Sequence, residues 1–305
     1  MGDVAKLRVG VICGGASSEH SVSCLSAASL LKSIDREIFE VTLIGITLGV
    51  FVGVVLGLTG AGGAILSVPL LGFFLHLEVA QAAPIGLMAV ALSSGLGAYL
   101  GFSAKILRYK AALLIACAGL ILSPIGIWLA HQLPNWPLVL IFAMILLLVA
   151  KNMWTQAKRE LAGIEEALGP PCQLDQTIGK LTWTLPCARA LFGSGALAGF
   201  FSGLLGVGGG FIIVPALRKF TDLPIKSIVA TSLGVLTIIS TGGVLFSNFY
   251  GAMNWSLAWP FSVGSILGLL IGRQLVKSIS GPRVQQAFAI FAILIAMTML
   301  IKLSL

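Results

Sequence analysis

The feature that most constrains this sequence is a set of six long stretches without a charged residue. Between Val41 and the C-terminus they cover residues 41–77, 79–104, 111–150, 190–217, 227–272 and 284–301. About 20 apolar residues span the hydrocarbon core of a bilayer. The 40-residue and 46-residue stretches must therefore contain two spans each. Only 10% of the residues are charged, against about a quarter in soluble domains. The sequence predicts an all-α polytopic membrane protein with about eight transmembrane segments.

A glycine-rich motif occurs twice inside these stretches. Gly57–Pro69 reads GLTGAGGAILSVP and Gly203–Pro215 reads GLLGVGGGFIIVP, and each residue of the second copy follows its counterpart by 146 positions. A fixed register of this kind indicates an internal duplication. Each copy interrupts an apolar run, which places a break in the helix at membrane depth. Irregular backbone persists there only where protein or a water-filled cavity covers it.

Two matching breaks predict a substrate site, because interrupted spans in equivalent positions are typical of carriers. The alternative is that the glycines only let helices pack closely. A glycine-rich turn that opens a helix presents N–H groups at the positive end of the helix dipole, which suits a small anion. No Asp, Glu, Lys or Arg lies in the middle of a span. The predicted substrate-binding residues are Gly60, Gly62, Gly63, Ser67, Gly206, Gly208, Gly209, Gly210, Thr231 and Ser232. For any single hydroxyl, helix packing or a bond to its own helix is the commoner role.

The duplication also predicts the domain organisation. Membrane repeat 1 covers residues 48–154, a polar cytoplasmic linker covers 155–189, and membrane repeat 2 covers 190–305. Each repeat begins with a glycine-broken helix or re-entrant hairpin and continues with three spans.

The distribution of Lys and Arg distinguishes two topologies, since these residues favour the cytoplasmic side of short loops. Fourteen of them lie in four regions near residues 105–110, 151–189, 218–226 and 273–283, and none lies at 131–136 or 249–254. If each broken segment crossed once, the regions 218–226 and 273–283 would lie outside. If each glycine break is instead the tip of a re-entrant hairpin, all fourteen lie inside and the two repeats are inverted. The alternative is that the charge bias is incomplete and the first apolar segment simply spans.

Residues 1–47 do not follow this pattern. They predict a short βαβ-like extension with a strand at Leu7–Cys13, a helix at Ser18–Lys32 and a strand at Phe39–Ile46. The sequence from Arg8 to Thr47, including Ser17-Ser-Glu-His20, closely resembles the N-terminus of D-alanine:D-alanine ligases. In that family this segment opens the first helix, and the resemblance implies that Glu19 occupies the position of a substrate-holding glutamate. The ATP-grasp domains do not follow, so the segment is predicted to be a non-functional fusion remnant.

The remaining chain resembles the sulfite exporter TauE/SafE family of permeases. The resemblance rests on both glycine motifs and on Ala230-Thr-Ser-Leu233, and it covers roughly residues 48–303. It implies transport of sulfite, sulfoacetate or a related organosulfur anion. Only the second half supplies the threonine-serine pair, which predicts an asymmetric site.

Other features narrow the function further. The five cysteines form no CxxC pair and have no histidine at metal-binding spacing, so they are predicted to be bystanders, with no metal and no cofactor. The net charge of +8 comes from loops that orient the protein in the membrane, not from a nucleic-acid site. The expected protein is a bacterial inner-membrane permease and not an enzyme, with the bilayer and a small anionic substrate as partners and a possible homo-oligomer. The alternatives are a passive channel, a non-transporting membrane scaffold or a remnant ligase.

Overall fold

The computed structural model describes residues 36–60, 62–162, 172, 174–175, 180–181, 184–249, 253–275 and 281–304. The chain divides into two compact units, residues 1–44 and 45–305. In the first unit the described residues are 36–44, and they are helical. The predicted strand at Leu7–Cys13 and the predicted helix at Ser18–Lys32 lie outside the described residues.

The described part of the chain contains ten helices, five before the linker and five after it. The first five are α1 (Arg36–Thr59), α2 (Gly62–Phe74), α3 (Val79–Ser103), α4 (Tyr109–Gln132) and α5 (Asn135–Leu161). The second five are α6 (Leu185–Leu205), α7 (Gly210–Phe220), α8 (Ile225–Phe249), α9 (Trp255–Leu275) and α10 (Gly281–Ser304). In the linker, β1 (Leu174–Asp175) pairs antiparallel with β2 (Lys180–Leu181).

Eight of these helices are long and apolar enough to cross a membrane, and the two exceptions are α2 and α7. The prediction of an all-helical protein with about eight spans is therefore confirmed. At a rise of about 1.5 Å per residue, α2 and α7 are about 20 Å and 17 Å long, shorter than the roughly 30 Å hydrocarbon core.

The predicted strand at Phe39–Ile46 is wrong, because α1 begins at Arg36 and continues through this segment to Thr59. The stretch Thr42–Thr59 is a continuous apolar helix that qualifies as a span. A helix pairs all its backbone groups within one segment, whereas an isolated strand in an apolar medium leaves them unpaired. The strand was predicted because the segment is rich in β-branched residues, which are common in strands.

Helices extend into the predicted linker, 155–189, at both ends. Helix α5 continues to Leu161, since the polar residues after Trp154 are mostly good helix formers. At the other end, Thr184 caps α6 by accepting a hydrogen bond from the Cys187 N–H at 3.3 Å, and Pro186 lies in the first turn. Both features are typical of a helix start.

The cysteines are not all bystanders. Cys172 in the linker forms a disulfide with Cys187 in the first turn of α6, and both side chains are fully buried. Sequence spacing does not reveal such a pair, because the partners come together only through the fold. Cys117 is a free, exposed cysteine on α4, and Cys13 and Cys24 lie outside the described residues.

Two buried clusters hold the short helices in place. One packs α7 against α4, α6, α8 and Cys172, and the other packs α2 against α1, α3, α8 and α9. Each short helix thus lies inside the helical bundle, where its broken backbone is covered by protein.

Candidate functional site

The second glycine turn, Gly206–Gly209, connects α6 to α7. Helix α6 ends where Gly206 adopts a left-handed conformation with φ of 72°, and the Gly206 N–H donates to the Ser202 carbonyl at 2.8 Å. Helix α7 begins at Gly210, and every residue from Gly206 to Gly210 is buried. The sequence therefore folds here into a tight turn in the protein interior.

The first glycine turn, at Gly60 and Gly62, connects α1 to α2 in the same way. Gly60 follows Thr59 with φ of 75°, and its N–H donates to the Leu56 carbonyl at 2.8 Å. Gly60 stands 146 residues before Gly206. The two glycines therefore occupy equivalent positions and share the left-handed conformation that glycine adopts at low cost.

Each turn reverses the chain so that the short helix packs back against the long one before it. A Cβ atom on Gly63 would collide with the backbone of Val52 and Leu56 in α1, and one on Gly209 would collide with Ala198 in α6. Gly209 and Ala198 stand 146 residues after Gly63 and Val52. The same hairpin contact therefore forms in both halves of the chain.

The base of the second hairpin is closed by the linker. Cys172 is bonded to Cys187 at the start of α6, and its N–H donates to the Phe220 carbonyl at the end of α7 at 3.0 Å. The end of α7 thus lies beside the start of α6. The second hairpin enters and leaves on the same side.

Each glycine turn contacts the helix that follows the hairpin of the other half. A Cβ atom on Gly60 would lie 2.7 Å from a Val229 methyl in α8, and one on Gly206 would collide with Ala83 in α3. Val229 stands 146 residues after Ala83. The contact made by one half is therefore repeated, with the partners exchanged, by the other.

The long helices show the same exchange. In the first half, three glycines of α1 lie against the backbone of α9: Gly49, Gly53 and Gly57 face Phe261, Ser265 and Leu269. In the second half, their counterparts in α6 lie against the backbone of α4: Gly195, Gly199 and Gly203 face Ile115, Gly119 and Ser123. Small residues allow helix backbones to approach this closely in membranes. Exchange of contacts between equivalent positions is the pattern that two-fold symmetry produces.

The predicted site hydroxyls all have partners within the protein. Ser67 donates to the Ala64 carbonyl at 2.7 Å, and Thr231 accepts from the Arg108 N–H at 3.1 Å. Ser232 contacts the Gly60 carbonyl at 3.2 Å and its own helix at the Val229 carbonyl at 2.8 Å. Contact of these three residues with substrate stays a prediction, and their described role is to bond helices and turns.

The predicted glycines do gather at the two turns, and the two short helices, α2 and α7, pack against each other. Gly86 in α3 shows how close the halves come. A Cβ atom there would lie 2.7 Å from Ser67 Oγ and 3.3 Å from the Gly206 carbonyl oxygen. Residues of the first half thus line the second glycine turn.

Ser240 was not among the predicted site residues, although the structure places it at the second glycine turn. Its hydroxyl is buried without a hydrogen-bond partner among the described residues and lies 2.9 Å from the position of a Cβ atom on Gly208. Ser94, its equivalent 146 residues earlier, bonds instead to Thr237 at 3.1 Å. The repeat register places Ala91 at the position equivalent to Thr237, but only the structure shows that Thr237 is the partner of Ser94.

Most of the described charged residues lie near the ends of helices. Arg218 at the end of α7 forms an ion pair with Glu160 at the end of α5, with an N–O distance of 3.6 Å. Glu160 also lies 3.9 Å from a Cβ position on Gly281 at the start of α10. The ends of α5 and α7 and the start of α10 therefore share one face of the bundle.

The start of α5 lies on the opposite face. The Val79 N–H, at the start of α3, donates to Asn135 Oδ1 at 3.3 Å. Beside them, a cavity of about 430 Å³ opens between α2, α5 and α10, and Asn135 and Thr298 are its polar side chains. No predicted site residue lines this cavity, and its apolar walls suit a hydrocarbon chain better than an anion.

The sequence matches known families in two separate regions. Residues 45–299 match the family described as sulfite exporter TauE/SafE, and residues 8–58 match the D-ala D-ala ligase N-terminus. The ligase match covers only a small part of a ligase. A D-alanine–D-alanine ligase of Mycolicibacterium gilvum is 56% identical over 43 residues, which are 14% of this chain and 12% of the ligase.

The matching membrane proteins are similar over nearly their whole length. A probable membrane transporter protein of Xylella fastidiosa (strain Temecula1) is 30% identical over 256 residues, covering 81% of this chain and 90% of the relative. The probable membrane transporter protein YunE of Bacillus subtilis is 26% identical over 258 residues, covering 82% and 94%. With the family match extending over most of the helical bundle, the chain belongs to the sulfite exporter TauE/SafE family.

Proposed function

We propose that this protein is a permease that carries a small anion, sulfite or an organosulfonate, across the bacterial inner membrane. The observation that carries the proposal is the exchange of contacts at the two glycine turns, where each turn packs on the other half of the chain. A substrate between these turns is touched by both halves, so that movement of one half against the other changes the side from which the site is reached. Membership of a family named for sulfite export and relatives named as probable membrane transporters support the same function.

The proposed architecture is a pair of inverted repeats, and two features support it. The second hairpin enters and leaves on one side, because Cys172 joins Cys187 and Phe220. Three spans, α3, α4 and α5, separate the two hairpins. An odd number of spans brings the second hairpin in from the face opposite to the first. The exchanged contacts then correspond to a two-fold axis in the membrane plane.

The chemistry of the turns favours an anion. The glycine turns place backbone N–H groups at the start of short helices, and neither glycine motif contains a charged residue. Helix N-termini stabilise negative charge without a counter-cation. A neutral site of this kind holds an anion weakly enough to release it on the other side.

Transport by purified protein in proteoliposomes tests the proposal. We expect uptake of sulfite or sulfoacetate that saturates with concentration and is inhibited by the other anion. Flux that rises linearly without competition would indicate a passive channel, and absence of flux for every anion tried would indicate a non-transporting scaffold. The ligase-like match covers only 12% of a ligase, so we expect no ligase activity.

A further inference from the structure

Ser240 lies beside the second glycine turn, where α7 begins. The Gly206 N–H is bonded to Ser202, and the Ile212 and Ile213 N–H groups are bonded to the Gly209 carbonyl. Between them, Gly208 and Gly209 lie in the turn and Gly210 is the first residue of α7. The first N–H groups of a helix have no acceptor within the helix, and the helix dipole makes this end positive. This end of α7 therefore favours a negatively charged acceptor.

The Ser240 hydroxyl lies beside the same turn. It is fully buried, has no partner among the described residues, and lies 2.9 Å from the Cβ position of Gly208. It is supplied by α8, a different helix from those joined by the turn. Its lack of a partner is thus an observation independent of the turn's own geometry. Leu236 and Val90, at 2.9 Å and 3.1 Å from the same position, are the apolar side chains packed around it.

We propose that Ser240 and the N–H groups of Gly208, Gly209 and Gly210 form a binding site for a small oxyanion. Three N–H donors and one hydroxyl, with no cationic side chain, match the several acceptor oxygens of an ion such as sulfite. A hydrogen bond to a charged acceptor is stronger than a neutral one, and the apolar surroundings strengthen it further. The inference rests on the proposed function and sharpens it, since it assigns the anion to the second glycine turn.

The first half does not offer the equivalent donor. Ser94, the counterpart of Ser240, is bonded to Thr237 at 3.1 Å. The Gly60 carbonyl of the first turn already accepts from Ser232 at 3.2 Å. The Ser94 hydroxyl and the Gly60 carbonyl are therefore engaged within the protein. One anion per chain is expected.

The test compares Ser240→Ala with Ser94→Ala, which removes the equivalent hydroxyl from the other half. Sulfite binding is measured by thermal stabilisation of the purified full chain, with sulfate and chloride alongside, and transport is measured in proteoliposomes. We expect Ser240→Ala to weaken sulfite binding and to raise KM by about tenfold or more, because the variant loses one hydrogen bond to a charged group and such a bond contributes about that much to affinity. Ser94→Ala should leave both nearly unchanged. The thermal midpoint without anion shows that each variant is folded.

A second substitution, in the glycine turn itself, tests the site without changing Ser240. Gly208→Ala places a methyl group where the anion would meet the hydroxyl, so the stabilisation by sulfite should be lost even where the variant folds. If the unmodified protein transports sulfite and Ser240→Ala has an unchanged KM, the assignment to this turn is wrong while the proposed function stands. If the unmodified protein neither binds nor moves any anion, the proposed function and this site fail together.

Discussion

The two glycine turns occupy equivalent positions, yet they differ in how their polar groups are used. At the first turn, Ser232 donates to the Gly60 carbonyl. At the second turn, Gly86 stands where a serine would be needed to do the same for Gly206, because Gly86 precedes Ser232 by 146 residues. Ser240 faces the second turn without a partner. The backbone contacts of the two turns correspond, whereas their side-chain hydrogen bonds differ.

This difference is what the proposed asymmetric site requires of two equivalent turns. The glycine contacts that join the halves are exchanged almost unchanged, since they depend on close backbone packing that tolerates no added side chain. The hydroxyls do not take part in that packing. At the first turn Ser232 bonds the Gly60 carbonyl, whereas at the second turn the Ser240 hydroxyl has no partner among the described residues.

The largest effect is expected from Gly209→Val. Gly209 has φ of 72°, and an added Cβ atom would collide with Ala198 of the preceding helix. A β-branched residue is strained in this conformation, and the hairpin must open to accommodate it. We expect transport to fall to background while the protein still inserts into the membrane.

The matched control is Gly193→Val in α6, where an added side chain meets nothing within 4 Å. Its transport should remain near that of the unmodified protein. Normal transport by Gly209→Val would remove the glycine turn from the mechanism, and equal loss in both variants would point to a general effect of valine.

The two turns should also differ in their tolerance of alanine. A Cβ atom on Gly206 would overlap both the Cβ and the backbone of Ala83, whereas the three atoms nearest to one on Gly60 all belong to the Val229 side chain. Alanine in the left-handed region costs about 1–2 kcal/mol. Overpacking adds about 1–3 kcal/mol. Gly206→Ala should therefore destabilise the protein more than Gly60→Ala.

Removing the side chain that faces each glycine separates the cost of overpacking from the cost of the left-handed conformation. Val229→Ala should recover most of the overpacking cost of Gly60→Ala, while Ala83→Gly should recover little of the cost of Gly206→Ala. The thermal midpoints of the single and double variants give the coupling energies. Equal rescue at both turns would show that the backbone does not approach more closely at the second.

The disulfide is a further difference between the hairpins, because it ties the base of the second one. Its partners are 15 residues apart, and closing a loop of this length stabilises a chain by about 3 kcal/mol in the chain-entropy description. Cys187→Ser should lower the stability of the oxidised protein by a similar amount and leave the reduced protein nearly unchanged. Cys117→Ser on the exposed face of α4 is the control. If Cys187→Ser has no effect after oxidation, the disulfide does not secure the hairpin.

The smallest effect is expected from Ser232→Ala. The variant loses the hydroxyl that bonds the Gly60 carbonyl, and a hydrogen bond of this kind contributes about 1 kcal/mol. Thr298→Ala, which loses only a bond to its own helix, should change the midpoint less. A change in sulfite KM without a change in stability would instead assign Ser232 to the substrate, as the sequence predicts.

The sequence predicted most of the fold because charge-free runs and glycine breaks both act locally. Helices α2 and α7 begin within the two glycine motifs, at Gly62 and Gly210. The strand at Phe39–Ile46 was wrong because β-branched residues also suit membrane helices. The Cys172–Cys187 pair and the open hydroxyl of Ser240 depend on tertiary contacts. Neither can be read from spacing along one segment.

The central claim is that the two halves are inverted copies whose hairpins each return to their own side, and cysteine accessibility tests it most directly. Lys226→Cys lies at the second residue of α8, and Asn254→Cys lies just before α9; both positions are exposed. Each is placed in a chain whose Cys13, Cys24 and Cys117 are serine, and a membrane-impermeant maleimide is added to intact cells. The inverted arrangement predicts labelling at Asn254→Cys and none at Lys226→Cys until the membrane is opened. Labelling of Lys226→Cys from outside, with Asn254→Cys protected, would show that the broken segments cross the membrane and would contradict the account.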